Sequence, residues 1–167
     1  MESVKILFVL CLILECCNCW VNKFDEPVWY ECPAGEQLSS ITSEHDNHFE
    51  DRQWDFTCAH LAPLGLCSWH NNINQHDGVM DFKCPDSGAI TGIKSVHDNN
   101  KEDRIYHIEC CAMSNTPNVC KLTDYANEFD GLLDYKIPTN KYLNGIYSVH
   151  QNFQEDRRFK FNECDLS

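Results

Sequence analysis

The chain is 167 residues long and strongly acidic, with 26 Asp and Glu against 13 Lys and Arg and a formal net charge of −13. Such a charge repels nucleic acid and anionic lipid, and its field favours basic or calcium-rich surroundings. Beyond the N-terminus no stretch is apolar enough to cross a membrane, which argues against membrane insertion.

In chain order the first feature is Lys5 ahead of an apolar run from Ile6 to Leu14. The run is too short to span a bilayer, and the small residues Cys17 and Cys19 suit signal-peptidase cleavage just before Trp20. Residues 1–19 therefore read as a secretory signal, and the product as secreted and extracellular. Loss of Glu2, Lys5 and Glu15 with the signal leaves a formal charge of −12. Residues 20–167 can bury one core and read as a single domain. They hold Cys32, Cys58, Cys67, Cys84, Cys110, Cys111, Cys120 and Cys164. An even number in an exported chain implies disulfides. No C-x-x-C pair among them suggests zinc, so neither a metal nor another cofactor is expected.

Internal periodicity decides the architecture. The pattern S-x-H-x-N-x-x-E-D-R occurs at Ser43 to Arg52, at Ser95 to Arg104 and at Ser148 to Arg157, spaced by 52 and 53 residues. The same offsets align Asn22 and Asp25 with Asn74 and Asp77, and with Asn127 and Asp130. They also align Trp54 and Phe56 with Tyr106 and Ile108, and with Phe159 and Phe161. Three tandem repeats of about 52 residues (about 20–69, 70–121 and 122–167) therefore fill the exported chain.

Each copy reads as strand. After the arginine, Trp54, Phe56 and Cys58 alternate with Gln53, Asp55 and Thr57, the period of a half-buried strand. Pro33, Pro85 and Pro138 end a strand ahead of each motif, since proline cannot donate within a ladder. The His/Asn/Glu/Asp run is a polar connection between two strands. No helical period is sustained, so the fold class is all-β. Three units of this size can close with pseudo-threefold symmetry, trefoil-like or prism-like; a β-sandwich is the alternative.

The segment Asp51-Arg52-Gln53-Trp54-Asp55-Phe56-Thr57-Cys58 resembles the D-R-x-W-x-[FY]-x-C repeat of the dermatopontins. Weaker copies begin at Asp103-Arg104 and Asp156-Arg157. The family comprises acidic secreted matrix proteins and, among invertebrates, haemagglutinins and cell-aggregation factors. Tyr106 and Phe159 replace the repeat's tryptophan, and the N-terminal tyrosines and extra cysteine pair of vertebrate members are missing. The chain is thus more similar to the invertebrate, agglutinin-type branch. The resemblance implies bridges Cys32–Cys58, Cys67–Cys110, Cys84–Cys111 and Cys120–Cys164. Alignment of the three copies agrees on the first and last but exchanges the middle partners, because Cys58 aligns with Cys110 and Cys111 with Cys164.

Strand parity puts Arg52 on the same apolar side as Trp54, Arg104 with Tyr106, and Arg157 with Phe159. A buried guanidinium needs a carboxylate, and Asp51, Asp103 and Asp156 or the neighbouring glutamates are the candidates for a structural clamp of bidentate geometry. Ligand binding falls to His45, Asn47 and Glu50, to His97, Asn99 and Glu102, and to His150, Asn152 and Glu155, whose side chains suit sugar hydroxyls. One site per copy would give multivalency and hence agglutination. A calcium site from Asn47, Glu50 and Asp51 is chemically reasonable, since all are hard oxygen donors. Ser43 and His45 share a side of one strand, but no G-x-S-x-G elbow accompanies them, so no catalytic residues are assigned. The expected function is non-enzymatic agglutinin-like recognition of cell-surface glycans, with self-association left open. A structural matrix protein binding collagen or proteoglycans is the alternative.

Overall fold

A computed structural model describes residues 20–113 and 119–166; the signal read on residues 1–19 lies outside them. The first copy supplies β1 (Val28–Glu31), β2 (Gln37–Asp46), β3 (Asp51–Ala59) and β4 (Leu64–His70). The second supplies β5 (Met80–Lys83), β6 (Ala89–Asp98), β7 (Asp103–Met113) and β8 (Cys120–Leu122). The third supplies β9 (Leu133–Lys136), β10 (Lys141–Gln151) and β11 (Asp156–Asp165). Apart from one 3-10 turn at Pro85–Ser87, all regular structure among the described residues is β.

The strands form three antiparallel sheets, ordered β1-β6-β7-β4, β5-β10-β11-β8 and β3-β2-β9. The motif lies in the long hairpins β2–β3, β6–β7 and β10–β11, where His45 faces Arg52, His97 faces Arg104 and His150 faces Arg157. The short strands do not pair within their own copy. β1 joins β6, β5 joins β10, and β9 joins β2. Each hairpin thus takes an edge strand from the copy before it, and the first takes its edge from the last. Pro33, Pro85 and Pro138 follow these short strands closely and release the chain into the turn before the hairpin.

Each hairpin carries one extra residue at the same place, with register shifts between Leu38 and Ser40, Ile90 and Gly92, and Leu143 and Gly145. Such bulges bend a strand and sharpen its twist. At the third, a Cβ on Gly145 would lie 2.5 Å from the Phe82 carbonyl oxygen, so the edge strand can approach only a glycine.

Alternation along the hairpins drives Leu38, Ile41, Trp54, Phe56, Ile90, Ile93, Tyr106, Ile108, Leu143, Ile146, Phe159 and Phe161 into one core. Burial of each such side chain stabilises the fold by about 1.5–3 kcal/mol. The three motif aromatics meet at its centre. Trp54 lies 6.2 Å from Tyr106 and 5.4 Å from Phe159, and Tyr106 lies 6.3 Å from Phe159, all edge to face. This is the favoured arrangement for aromatic quadrupoles.

Four disulfides join Cys32 to Cys58, Cys67 to Cys111, Cys84 to Cys110 and Cys120 to Cys164. The middle pairs follow the alignment of the copies and not the pairing that the family resemblance implies. Pleating explains the difference, because adjacent residues of a strand face opposite sides. Cys110 turns into the core beside Cys84. Cys111 turns to the opposite face of the strand, where it is also buried and stands directly across the ladder from Cys67.

Candidate functional site: a ring of charge over the aromatic centre

Directly over the three aromatics sit the three arginines, buried as strand parity requires. Their partners come from other copies. Arg52 donates from Nε and Nη2 to Asp156 at 2.6 and 2.7 Å. Arg104 donates in the same way to Asp51, at 2.6 Å for both bonds. Arg157 donates to Asp103, again at 2.6 Å for both. Every guanidinium therefore forks onto the aspartate of the preceding copy, and the first copy onto that of the third. The geometry is bidentate and charge-assisted, the strong form of such a bond. Each Nη2 also reaches a loop carbonyl of the copy that supplies the aspartate: Gly131 for Arg52, Glu26 for Arg104 and Gly78 for Arg157.

The aspartates are tied down from behind. The backbone N–H of Asp25 donates to Asp51, that of Asp77 to Asp103 and that of Asp130 to Asp156, at 2.8–2.9 Å. Burial pushes the Asp51 carboxyl up, but the hydrogen bonds from His97 and Arg104 and the charge of Arg104 outweigh it and hold the group well below the usual carboxylate range. With Asp51 so committed, it is not free to complete a calcium set with Asn47 and Glu50.

The aligned asparagines, assigned no role from sequence, hold the inner edge of the ring strands. Asn22 accepts from the Trp54 N–H at 2.9 Å and donates to the Arg52 carbonyl at 3.1 Å. Asn74 makes the same pair with Tyr106 and Arg104, and Asn127 with Phe159 and Arg157. One side-chain amide thus supplies the donor and acceptor that a neighbouring strand would have supplied. The signal was present in the sequence, as the recurrence of an asparagine at a fixed offset before each motif.

On the outer side of the ring lie the histidines. They stand within strands β2, β6 and β10 and not in the connecting loops, and their side chains are 0%, 1% and 0% exposed for His45, His97 and His150. The expectation of accessible histidines is therefore corrected. Facing the arginine directly across the ladder, each points inward. Nδ1 of His45 lies 3.4 Å from Asp156 Oδ1, and Nδ1 of His97 lies 3.4 Å from Asp51 Oδ1. Burial lowers the affinity of His97 for a proton, yet the hydrogen bond and charge of Asp51 raise it above the ordinary value. Glu50, Glu102 and Glu155 reach over the histidines. Burial raises Glu155, His150 opposes this, and the nearby carboxylates Asp77, Glu102 and Glu50 add to the rise.

These residues line a half-open central cavity of about 20 Å³, enough for a single water or ion and far too small for a sugar ring. Ser43, Ser95 and Ser148 are buried, and Ser95 accepts from Arg104 Nη1 at 3.1 Å, so none is an exposed nucleophile. Around the rim, Asn47, Asn99 and Asn152 are exposed, as are Phe49 and Phe153, the latter 89% exposed. The rim asparagines lie within a few residues of the ring, so the three loops converge on one end of the molecule.

The profile of the dermatopontin family matches residues 22–167. The chain belongs to the dermatopontin family. Within it, the chain is 37% identical to the hemagglutinin/amebocyte aggregation factor of Limulus polyphemus, over 99% of this chain and 98% of that one. It is 41% identical to Millepora cytotoxin-1 of Millepora dichotoma over 86% of its own length, and spans 65% of that relative. It is 33% identical to the dermatopontin of Biomphalaria glabrata, over 87% of this chain and 99% of the other. No solved structure matches the chain.

Proposed function

We propose that this member of the dermatopontin family is a secreted, non-enzymatic recognition protein that binds cell-surface glycans and draws cells together. The observation that carries this reading is the near end-to-end similarity to a hemagglutinin and aggregation factor. The exposed rim is chemically suited to sugars: Asn47, Asn99 and Asn152 offer paired donors and acceptors, and Phe49 and Phe153 offer apolar faces. Glu50, Glu102 and Glu155 flank the asparagines with side chains about one-third exposed. The buried histidines have no part in such contacts. Because the three loops share one end, they would engage one surface together, and avidity would come from simultaneous weak contacts. Bridging two cells then calls for two copies of the chain.

The same reading includes closure of the three repeats about a pseudo-threefold axis. It is supported by the cyclic order of the ion pairs, in which Arg52 meets Asp156 and so returns the series to its start. Such closure would present the three rims at equivalent positions.

A red-cell agglutination assay tests the function. Clumping that soluble sugars abolish, and that weakens when Asn47, Asn99 and Asn152 are replaced together by Ala, is the expected result. The second reading, a matrix protein binding collagen or proteoglycan, is favoured by the similarity to dermatopontins proper. Retention on collagen or an acidic glycosaminoglycan, with no agglutination, would replace the first reading by the second.

A further inference from the structure

We infer that the outer face of the sheet β1-β6-β7-β4 holds one binding site for an uncharged sugar ring, built on Trp29 with Asn71, Lys94 and His107. The inference extends the glycan reading to a second place and does not depend on the rim, whose asparagines take no part in it.

The first argument is an aromatic face that is exposed and yet held still. Trp29 is 68% exposed. Its Nε1 donates to Glu31 at 2.9 Å, and the Lys94 ammonium stands 4.0 Å over its ring. That ammonium also pairs with Glu31 at 3.2 Å and lies 3.6 Å over the ring of Trp69. Trp69 in turn packs on Gly92, where a Cβ would meet its Cη2 at 3.0 Å. The cation–π contacts and the ion pair fix the indole before any ligand arrives, and a surface fixed beforehand loses less entropy on binding.

The second argument is a cleft beside that indole. It measures about 200 Å³, below the roughly 300–1,000 Å³ of sites for drug-sized molecules and suited to a single ring. Pro27, Trp29 and Val96 give it apolar walls, and Asn71, Lys94 and His107 give it polar groups. The Asn72 backbone N–H stands 3.2 Å from Nδ1 of His107. A backbone N–H can only donate, so Nδ1 accepts and the imidazole proton lies on Nε2. A pyranose lays its C–H face on the indole and pairs its hydroxyls with the imidazole, the amide and the ammonium.

The third argument is that the fold does not require this row of side chains. Trp29 faces Lys94 between β1 and β6, and Lys94 faces His107 between β6 and β7. The equivalent rung is Asp81, Tyr147 and Lys160 in the second sheet, and Asp134, Thr42 and Asp55 in the third. Neither carries a tryptophan, so the platform belongs to one sheet and gives one site per chain.

Charge selects the ligand. Lys94 is paired with Glu31, whose carboxyl is held below its ordinary value by the hydrogen bonds from Trp29 and Lys94. Burial and the Lys94 charge lower the affinity of His107 for a proton. The cleft therefore carries no net charge of its own, and the acidic chain around it disfavours an anionic sugar.

Nitrogen NMR of the intact protein is the test, with methyl mannoside, methyl galactoside, methyl glucoside and methyl glucuronide titrated separately. At least one of the three neutral glycosides should shift the Trp29 indole and His107 imidazole signals saturably, and should bind more tightly than the glucuronide. Trp29→Ala should weaken that binding by roughly tenfold or more, the loss expected when a central tryptophan contact is removed. Replacing Asn47, Asn99 and Asn152 together by Ala should leave it unchanged. Absence of a Trp29 shift with every neutral glycoside would overturn the inference, as would tighter binding of the glucuronide or full binding by Trp29→Ala. Shifts confined to the rim would refute this site and leave the glycan reading standing. Should Trp29→Ala not fold, the wild-type shifts decide by themselves.

Discussion

Nε and Nη2 of Arg104 each stand 2.6 Å from an oxygen of Asp51, a residue 53 positions earlier in the sequence. Both groups are almost wholly buried, and Asp51 carries the next arginine contact of a series that runs through every copy. Removing one member strands the other charge in a dry interior, whereas removing both leaves only a packing defect. Arg104→Ala should therefore lower the unfolding free energy by about 3–5 kcal/mol. The double substitution Arg104→Met with Asp51→Leu should cost clearly less than Arg104→Ala. Urea denaturation of the two variants checks the order, and equal losses would show that the pair is not what holds the copies together.

The asparagine that mimics a strand edge makes a sharper local forecast. Asn74→Ala leaves the Tyr106 N–H and the Arg104 carbonyl unmatched in the interior. The expected loss is about 1–3 kcal/mol for each group left unsatisfied. Hydrogen exchange at the Tyr106 amide should quicken more than at the equivalent Trp54 and Phe159 amides, whose own asparagines are intact.

The crossed pairing of the central cysteines can be read chemically. Replacing Cys84 and Cys110 together by Ser should give a chain without free thiols, destabilised by about 2–5 kcal/mol. Replacing Cys84 and Cys111 together should leave Cys67 and Cys110 on opposite faces of the sheet, and thiol titration should find two reactive groups. A thiol-free second variant would restore the pairing that the family resemblance implies.

Alkaline titration probes the buried phenols. Tyr142 is buried and donates to the Ser87 carbonyl at 2.9 Å, and burial raises its pKa from 10.0 to about 12. Between these values the unfolded chain has released a proton that the folded chain keeps. The stabilisation is therefore intact below pH 10 and declines as pH rises toward 12. Burial raises Tyr106 and Tyr135 as well. The tyrosinate absorbance of these buried phenols should appear late and coincide with a falling melting temperature; early, reversible ionisation of Tyr106, Tyr135 and Tyr142 in the folded chain would contradict this.

Much of the fold was legible because two simple periods governed it. The alternation after Arg52 gave the strand, and the 52- and 53-residue spacing gave the copies. Parity alone put the arginines inside. What parity could not supply was which copy held the carboxylate, since Asp51 and Glu50 both lie beside Arg52 in sequence while its partner, Asp156, is 104 residues away. That choice depends on how the hairpins meet in space. His45 was misplaced for a related reason: a polar residue beside Asp46 and Asn47 reads as loop, but the ladder continues to Asp46 and turns the imidazole inward. The short strands β4 and β8 also escaped, because three to seven mostly exposed residues carry too little alternation.

The return of the series from Asp156 to Arg52 bears on how the molecule comes into being. Arg52 must wait for a partner 104 residues further along. The hairpin β2–β3 likewise waits for β9 to cover its edge. A chain emerging from its N-terminus can therefore build the first hairpin early but cannot neutralise that buried guanidinium until the last motif has appeared. Maturation is then a single late event for the whole molecule, and truncation within the third copy should trap an open, aggregation-prone chain even though two complete motifs are present.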